Sequence, residues 1–193
     1  MNEKAGAGAA VAAAYGLASF EPLSAAETKI AAYLSSGDFD RLGDGLLPES
    51  DDPERTLRAE LLRFLILGNN NYHSHEKGVR VSGAWVTGIL DLEGCRIPRD
   101  IGLKDCRFEA SPILRSAIID NLFLDGSVLP GLQADRLEAR GCISIRGATV
   151  TGEMKFSGAR IGASFEADGV SITSPNTTAL DAGGLEVRGG ILL

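Results

Sequence analysis

Aromatic residues and cysteines are scarce in this chain of 193 residues, at 6% and three residues. No pair of cysteines has CxxC spacing, which argues against a disulfide framework or a zinc ribbon and favours a reducing, cytoplasmic compartment. No apolar run approaches the roughly 20 residues that a membrane-spanning helix needs. We therefore predict no membrane span in this chain.

Basic residues are fewer than acidic ones. The chain has 19 Lys and Arg and 26 Asp and Glu, which gives a net charge of −7. The deficit lies mostly in residues 1–78, because residues 79–193 are nearly neutral. Neither part shows a basic patch of the kind that binds phosphate backbones. Direct binding of nucleic acid is not expected.

A short repeat is the strongest feature that is present. Residues 143–172 read ISIRGATVTGE, MKFSGARIGAS and FEADGVSI, and these rows superpose at a period of 11. Ile143, Met154 and Phe165 share one column, and glycines share another. A fixed short period is typical of a solenoid.

Each row contains two steps, and each step has two inward positions separated by one outward residue, as in Met154 and Phe156. Gly, Asp or Ser stand near the corners. This pattern predicts a right-handed, four-sided parallel β-helix, similar to pentapeptide-repeat proteins, over residues 79–193. Its length corresponds to about five coils of about 21–22 residues.

The residues before the repeat predict a small helical cap. We expect a flexible Ala- and Gly-rich leader over 1–22, and a cap with its connecting loop over 23–78. Ser24 and Glu27 have the spacing of a capping box. A second helix is predicted from Asp52 to Gly68, where it would plug the first coil.

Several phrases resemble a bacterial β-helix family that is commonly labelled "membrane-associated oxidoreductase". They are LSAAE at 23–27, PERTLRAE at 53–60, GILDL at 88–92, LPGLQAD at 129–135 and GARIG at 158–162. The resemblance implies a redox activity. It also implies longer relatives with more repeats and a membrane-spanning tail, of which this chain would be an N-terminal part or a short member.

The residues themselves carry no catalytic or cofactor motif. A dinucleotide site needs a Gly-rich turn between a strand and a helix, whereas these glycines punctuate β-corners. His73 and His75 have only Glu76 nearby, too few ligands for a metal. We therefore predict a chain that is not an enzyme, with no catalytic residue, no cofactor and no metal.

Outward charges alternate in sign from coil to coil. One column reads Lys104, Asp125, Arg146 and Asp168, which predicts ion-pair ladders between stacked strands. An alternative function is that of a DNA mimic that inhibits a nucleic-acid-handling enzyme, but a mimic needs unbroken negative faces.

Apolar residues at outward positions are the remaining anomaly. They form a predicted apolar belt, which either binds a partner or is covered by the leader or the first helix. The unplugged C-terminal end predicts an end-to-end homodimer. The chain is thus predicted to be a non-catalytic scaffold for protein–protein interaction, whose partner-binding candidates are Trp85, Ile113, Ile118, Phe123, Val128, Ile191, Leu192 and Leu193.

Overall fold

The computed structural model describes residues 16–33, 37–68, 75–175 and 178–193. Two α-helices occur in this part of the chain, α1 (Ala25–Tyr33) and α2 (Ala59–Leu67). A short 3-10 helix, Leu17–Phe20, precedes them. The remaining elements are short β-strands.

The strands follow one another in chain order, and most contain two residues. The first eleven are β1 (Asp40–Arg41), β2 (Thr56–Arg58), β3 (Gly78–Ser82), β4 (Trp85–Thr87), β5 (Arg96–Ile97), β6 (Asp100–Lys104), β7 (Arg107–Phe108), β8 (Ile118–Ile119), β9 (Leu122–Phe123), β10 (Val128–Leu129) and β11 (Leu132–Gln133). The next ten are β12 (Glu138–Ala139), β13 (Ile143–Ser144), β14 (Thr149–Val150), β15 (Met154–Lys155), β16 (Arg160–Ile161), β17 (Phe165–Glu166), β18 (Ser171–Ile172), β19 (Leu180–Asp181), β20 (Glu186–Val187) and β21 (Ile191–Leu192).

These strands stack into four parallel sheets. The first runs β1-β3-β6-β9-β13-β17-β21, the second β2-β4-β7-β10-β14-β18, the third β11-β15-β19, and the fourth β5-β8-β12-β16-β20. From β9 onward each coil contributes one strand to each sheet, whereas the two coils before it have only isolated bridges, at Asp91 and Ile113, on the third side. The chain completes about five turns. The predicted four-sided β-helix is confirmed.

Stacking follows the repeat of the sequence. Ile143 pairs with Leu122 in the coil before and with Phe165 in the coil after. Every predicted inward position from Ala84 to Ala167 is buried, except for the half-buried Cys95. The interior is therefore a continuous stack of small and aliphatic side chains, which removes the apolar half of each strand from water.

One corner of each coil needs a left-handed backbone, which favours glycine because a Cβ is strained there. Gly94 and Gly158 supply it, with φ of 65° and 66°. In the intervening coils Ser116 and Arg136 adopt the same conformation, with φ of 55° and 54°. Repeated stacking thus holds even non-glycine residues in this geometry.

The insertion near residue 176 interrupts the spacing but not the register. Leu132 pairs with Met154 after 22 residues, and Met154 pairs with Leu180 after 26. The extra residues fall between β18 and β19, and both strands keep their pairing with the preceding coil. The repeat therefore resumes at Leu180.

The capping box of α1 is present. The Ser24 hydroxyl oxygen accepts from the Glu27 backbone N–H at 3.1 Å, and the Ser24 N–H donates to Glu27 Oε2 at 3.0 Å. Two backbone donors at the start of the helix are therefore satisfied.

The predicted start of the second helix was wrong. Asp52 caps only a turn, whose Arg55 N–H donates to the Asp52 carbonyl oxygen at 2.8 Å. Thr56–Arg58 then form β2, and Leu57 lies in register with Val86. The position of Leu57 fits both the apolar stripe of a helix and an inward position of a strand. Leu57 lies in a strand because Thr56–Arg58 pair with β4.

The helix α2 closes the first coil as predicted. Leu61, Leu62 and Leu65 are buried in the same core as the coil interior. Gly68 ends the helix with φ of 64°, and its N–H donates to the Phe64 carbonyl oxygen. The predicted cap segment also contributes β1 and β2, so it extends two of the four sheets.

Candidate interaction surfaces

Ion-pair ladders occupy the outward positions, as the alternating charges predict. Lys104 Nζ lies 2.8 Å from Asp125 Oδ2, and Arg146 Nε lies 3.3 Å from Asp168 Oδ2. On another face Arg115 lies 2.8 Å from Glu93. These charges support strand register.

Asp125 shows how tightly a ladder carboxylate is held. Burial raises the pKa of Asp125, but hydrogen bonds from Lys104 and the Ser144 hydroxyl outweigh it and leave the pKa below its ordinary value. The backbone N–H of Arg146 also donates to Asp125, at 3.1 Å. A carboxylate engaged in this way is a structural group.

We expect a small coupling energy between Lys104 and Asp125. A double-mutant cycle with Lys104→Met and Asp125→Asn, followed by urea unfolding, should give about 0.2–1 kcal/mol, because both side chains are partly exposed. The coupling should fade in acid as Asp125 is protonated. Zero coupling at neutral pH would contradict the ladder interpretation.

The apolar belt encircles the coil, with one member on each of its four sides. Ile118, Phe123 and Val128 belong to the fourth, first and second sheets, and Ile113 forms bridges that extend the third. All four side chains are half-buried between neighbouring coils. A single flat partner cannot contact all of them at once.

Trp85 is engaged within the chain. The Arg107 guanidinium lies 5.6 Å from the Trp85 ring centroid, which is a cation–π contact. The indole N–H donates to Glu109 at 3.2 Å, and Arg107 Nε donates to the Pro48 carbonyl oxygen at 2.9 Å. The loop before β2 is therefore hydrogen-bonded to the second sheet through Arg107.

Phe39 provides a second intramolecular cover, which the sequence did not reveal. Lys104 Nζ lies 5.2 Å from the Phe39 ring and 5.4 Å from the Phe123 ring, so the ammonium is placed between two aromatic faces. Gly102 leaves the space in which Phe39 packs. One member of the belt is thus partly covered by the loop after α1.

A buried ion pair joins the cap to the first coil. Glu27 is 1% exposed, and its carboxylate accepts from Arg58 Nε at 2.7 Å and from the Arg58 backbone N–H at 3.0 Å. Burial raises the pKa of Glu27, but the hydrogen bonds from Arg58 and Ser24 outweigh it and hold the pKa below 4.5. The sequence pattern offered only the capping role of Glu27.

Cys106 lies in the interior, and burial raises the pKa of its thiol to about 12. Cys95 and Cys142 are half-buried. His75 accepts from the Lys77 N–H through Nδ1 at 3.0 Å, while His73 lies outside the described residues. Among described residues, no group of three His, Cys, Asp or Glu is placed to hold a metal.

The last coil carries most of the exposed aliphatic surface. Six large hydrophobic side chains are exposed in the part of the chain that the structure describes, and Leu46 and Ile89 lie outside this coil. The other four define the last-coil surface, which consists of Leu180, Ile191, Leu192 and Leu193. All four sheets end here, on β18, β19, β20 and β21.

The fourth sheet carries an arginine-rich face that the sequence reading missed. We call it the arginine face, and it comprises Arg96, Arg136, Arg140, Arg160 and Arg188, with Asp120, Glu138 and Glu186. Five bases and three acids give it a net charge of +2. Reading the sequence by coils would have shown it, because Ile118, Glu138, Arg160 and Glu186 are successive neighbours in one ladder.

These features define the class of protein, a β-solenoid with a filled interior and a helical cap. No protein-family model matches the chain, and comparisons with curated proteins and with solved structures found no match either. Within the described residues, neither helix has the length and apolarity needed to cross a bilayer. The family resemblance stays a prediction.

Proposed function

We propose that this protein is a non-catalytic scaffold that binds protein through the last-coil surface. The observation that carries the proposal is the coincidence of four exposed aliphatic side chains with the free edges of four sheets. Unpaired strand edges are templates for pairing with another chain, and exposed apolar side chains favour burial there.

A second copy of the chain is the partner that this surface fits. Both copies present the same unpaired backbone groups and the same aliphatic side chains, so a two-fold contact is self-complementary. Such a contact would cover Ile191 and Leu193, which are 54% and 85% exposed. The rod would then be doubled in length and would present each lateral face twice.

The remaining polar surface supports a structural role. Carboxylates on the ladders are held by cations at 2.8–3.6 Å, an arrangement that stabilises register. The DNA-mimic alternative needs continuous negative faces, and the alternating ladders oppose it. The redox function implied by the family resemblance has no supporting contact among the described residues.

Light scattering tests the homodimer. We expect twice the 20.2 kDa mass of the chain, falling to the monomer mass when Ile191→Asp and Leu193→Asp are combined. The reason is that two buried carboxylates without partners oppose the contact. The matched control is Ile89→Asp with Leu46→Asp, which changes two aliphatic residues elsewhere that are 57% and 63% exposed.

Far-ultraviolet circular dichroism and thermal unfolding establish that both variants fold. A monomeric native chain at every concentration contradicts the homodimer, as does a dimer that survives the last-coil variant. Loss of the dimer in the control variant would place the contact elsewhere.

A further inference from the structure

The arginine face is an open recess along the rod. Arg96, Arg140, Arg160 and Arg188 line it together with Glu138 and Glu186, and its volume is about 550 Å³. We propose that this face binds an acidic segment of a partner protein in an extended conformation. The inference deepens the scaffold proposal by naming a partner chemistry, and it depends on residues separate from the last coil.

The first argument is that guanidinium donors are available. Arg96 and Arg188 form no ion pair within the described part of the chain, and both are exposed. Arg140 and Arg160 are 67% and 63% exposed. Guanidinium groups bind carboxylates through paired N–H donors, so each exposed group can donate to an acidic side chain of a partner.

The second argument is that the existing ion pairs are loose. Arg160 lies 3.5 Å from Glu138 and 3.6 Å from Glu186, longer than a direct hydrogen bond. Arg140 lies 3.3 Å from Asp120. Exposed pairs of this kind contribute little to stability, so an incoming carboxylate can exchange with them at low cost.

Spacing indicates the form of the ligand. Stacked strands lie about 4.8 Å apart, so cations two coils apart are separated by about 10 Å along the rod. Arg140 and Arg188 directly follow β12 and β20, and the register places them two coils apart in one column. Arg96 in β5 lies two coils before Arg140 but in the neighbouring column, which it shares with Arg160. A polyproline II segment repeats every three residues, or about 9.3 Å, which places every third side chain on one side. An acidic residue at every third position therefore matches the face.

Nucleic acid fits the same surface less well. Apart from the arginine face the chain carries nine net negative charges, since the total is −7 and the face contributes +2. Three carboxylates lie on the face itself, and the apolar residues that line the recess, Ile118, Ala139 and Ile161, are not aromatic. Phosphate binding relies on dense positive charge, and single strands also need stacking platforms.

Fluorescence anisotropy at low ionic strength tests the proposal with a labelled peptide of several Glu-Pro-Pro repeats. The control peptide has Gln-Pro-Pro repeats, and a labelled oligothymidylate serves as the nucleic-acid probe. We expect the acidic peptide to bind and the Gln peptide not to bind. Binding should weaken as salt is raised, because exposed charges are screened.

Variants locate the site. Arg96→Gln combined with Arg188→Gln should weaken peptide binding about 3- to 10-fold, since two exposed charge pairs are lost. Arg41→Gln combined with Lys77→Gln removes the same charge from the first-sheet side and should leave binding unchanged. Circular dichroism confirms folding of each variant.

A gain of binding gives the sharpest result. Glu138→Gln combined with Glu186→Gln releases Arg160 from both of its partners and should tighten peptide binding several-fold. No unfolding effect mimics such a gain. An absence of binding, an equal loss in the Arg41 and Lys77 control, or unchanged binding in the Glu138 and Glu186 variant overturns the proposal.

Oligothymidylate that binds as tightly as the peptide, with the same dependence on the arginines, also overturns the assignment to an acidic protein segment. The two proposals fail separately. The homodimer is tested by light scattering on the native chain and the Ile191→Asp, Leu193→Asp variant. Peptide binding is tested by fluorescence anisotropy on the native chain and the arginine variants.

Discussion

Replacing Phe156 with alanine is expected to lower the free energy of unfolding by about 3–5 kcal/mol. Phe156 is fully buried, and its ring contacts Phe165 edge-on with centroids 5.3 Å apart. The register of β11, β15 and β19 places Ala134 and Ala182 at the equivalent positions of the adjacent coils. These small neighbours cannot fill the cavity that the substitution leaves.

Urea unfolding measures this loss, and Phe156→Leu is the matched control. Leucine keeps most of the apolar volume, so its cost should stay below about 1.5 kcal/mol. An alanine variant that loses less than about 1 kcal/mol would falsify the packed interior, because a solvated ring has little to lose.

Removing Arg58 should give the second large effect. Arg58→Ala leaves the Glu27 carboxylate buried without its charged partner, which costs about 3–5 kcal/mol in comparable buried pairs. Because the Arg58 side chain is 41% exposed, we expect the lower end of that range. Thermal or urea unfolding at neutral pH gives the value, and Arg58→Lys is the control that keeps the charge.

Acid should abolish the same contribution. The pKa of Glu27 is lowered in the folded protein, so the pair stabilises the fold fully above about pH 4.5 and loses its effect as the pH falls through the lowered pKa. The stability difference between the native chain and Glu27→Gln should therefore shrink in acid. A difference that does not change with pH would show that Glu27 is not held as a carboxylate.

The interior of the solenoid could be predicted from the sequence because its physical cause is local and repeated. Met154 and Phe156 alternate with the outward Lys155, and this alternation recurs at a fixed period. Strands stack in register only when inward residues coincide, so the period alone specifies which side chains meet. The alternating charges at Lys104 and Asp125 follow from the same register.

The cap was less predictable because its pattern fits two structures. Leu57 and Leu61 are spaced as on a helix, yet Leu57 belongs to β2 and Leu61 to α2. The free edge of β4 recruits Thr56–Arg58 as a strand, and no property of those three residues reveals that edge. Tertiary pairing therefore overrides helical propensity at residues 56–58 and sets the start of the helix at Ala59.

The candidate surfaces also differ in how readily the sequence indicates them. Ile191 and Leu193 could be named from the sequence as exposed residues of the last coil, and they are 54% and 85% exposed. The arginine face is harder to see, because Arg96, Arg140 and Arg188 are distant in sequence and come together only when the sequence is aligned coil by coil. The cover of Phe123 by Phe39 through Lys104 is likewise a contact between distant segments.

The sequence by itself determined the winding of the chain, the identity of its buried side chains and the alternation of charge along its faces. A repeating pattern carries that information in every row. Only the tertiary structure decided where the cap helix begins and which outward residues are covered by other segments. Those features depend on segments that meet without sharing a repeat, so no local pattern encodes them.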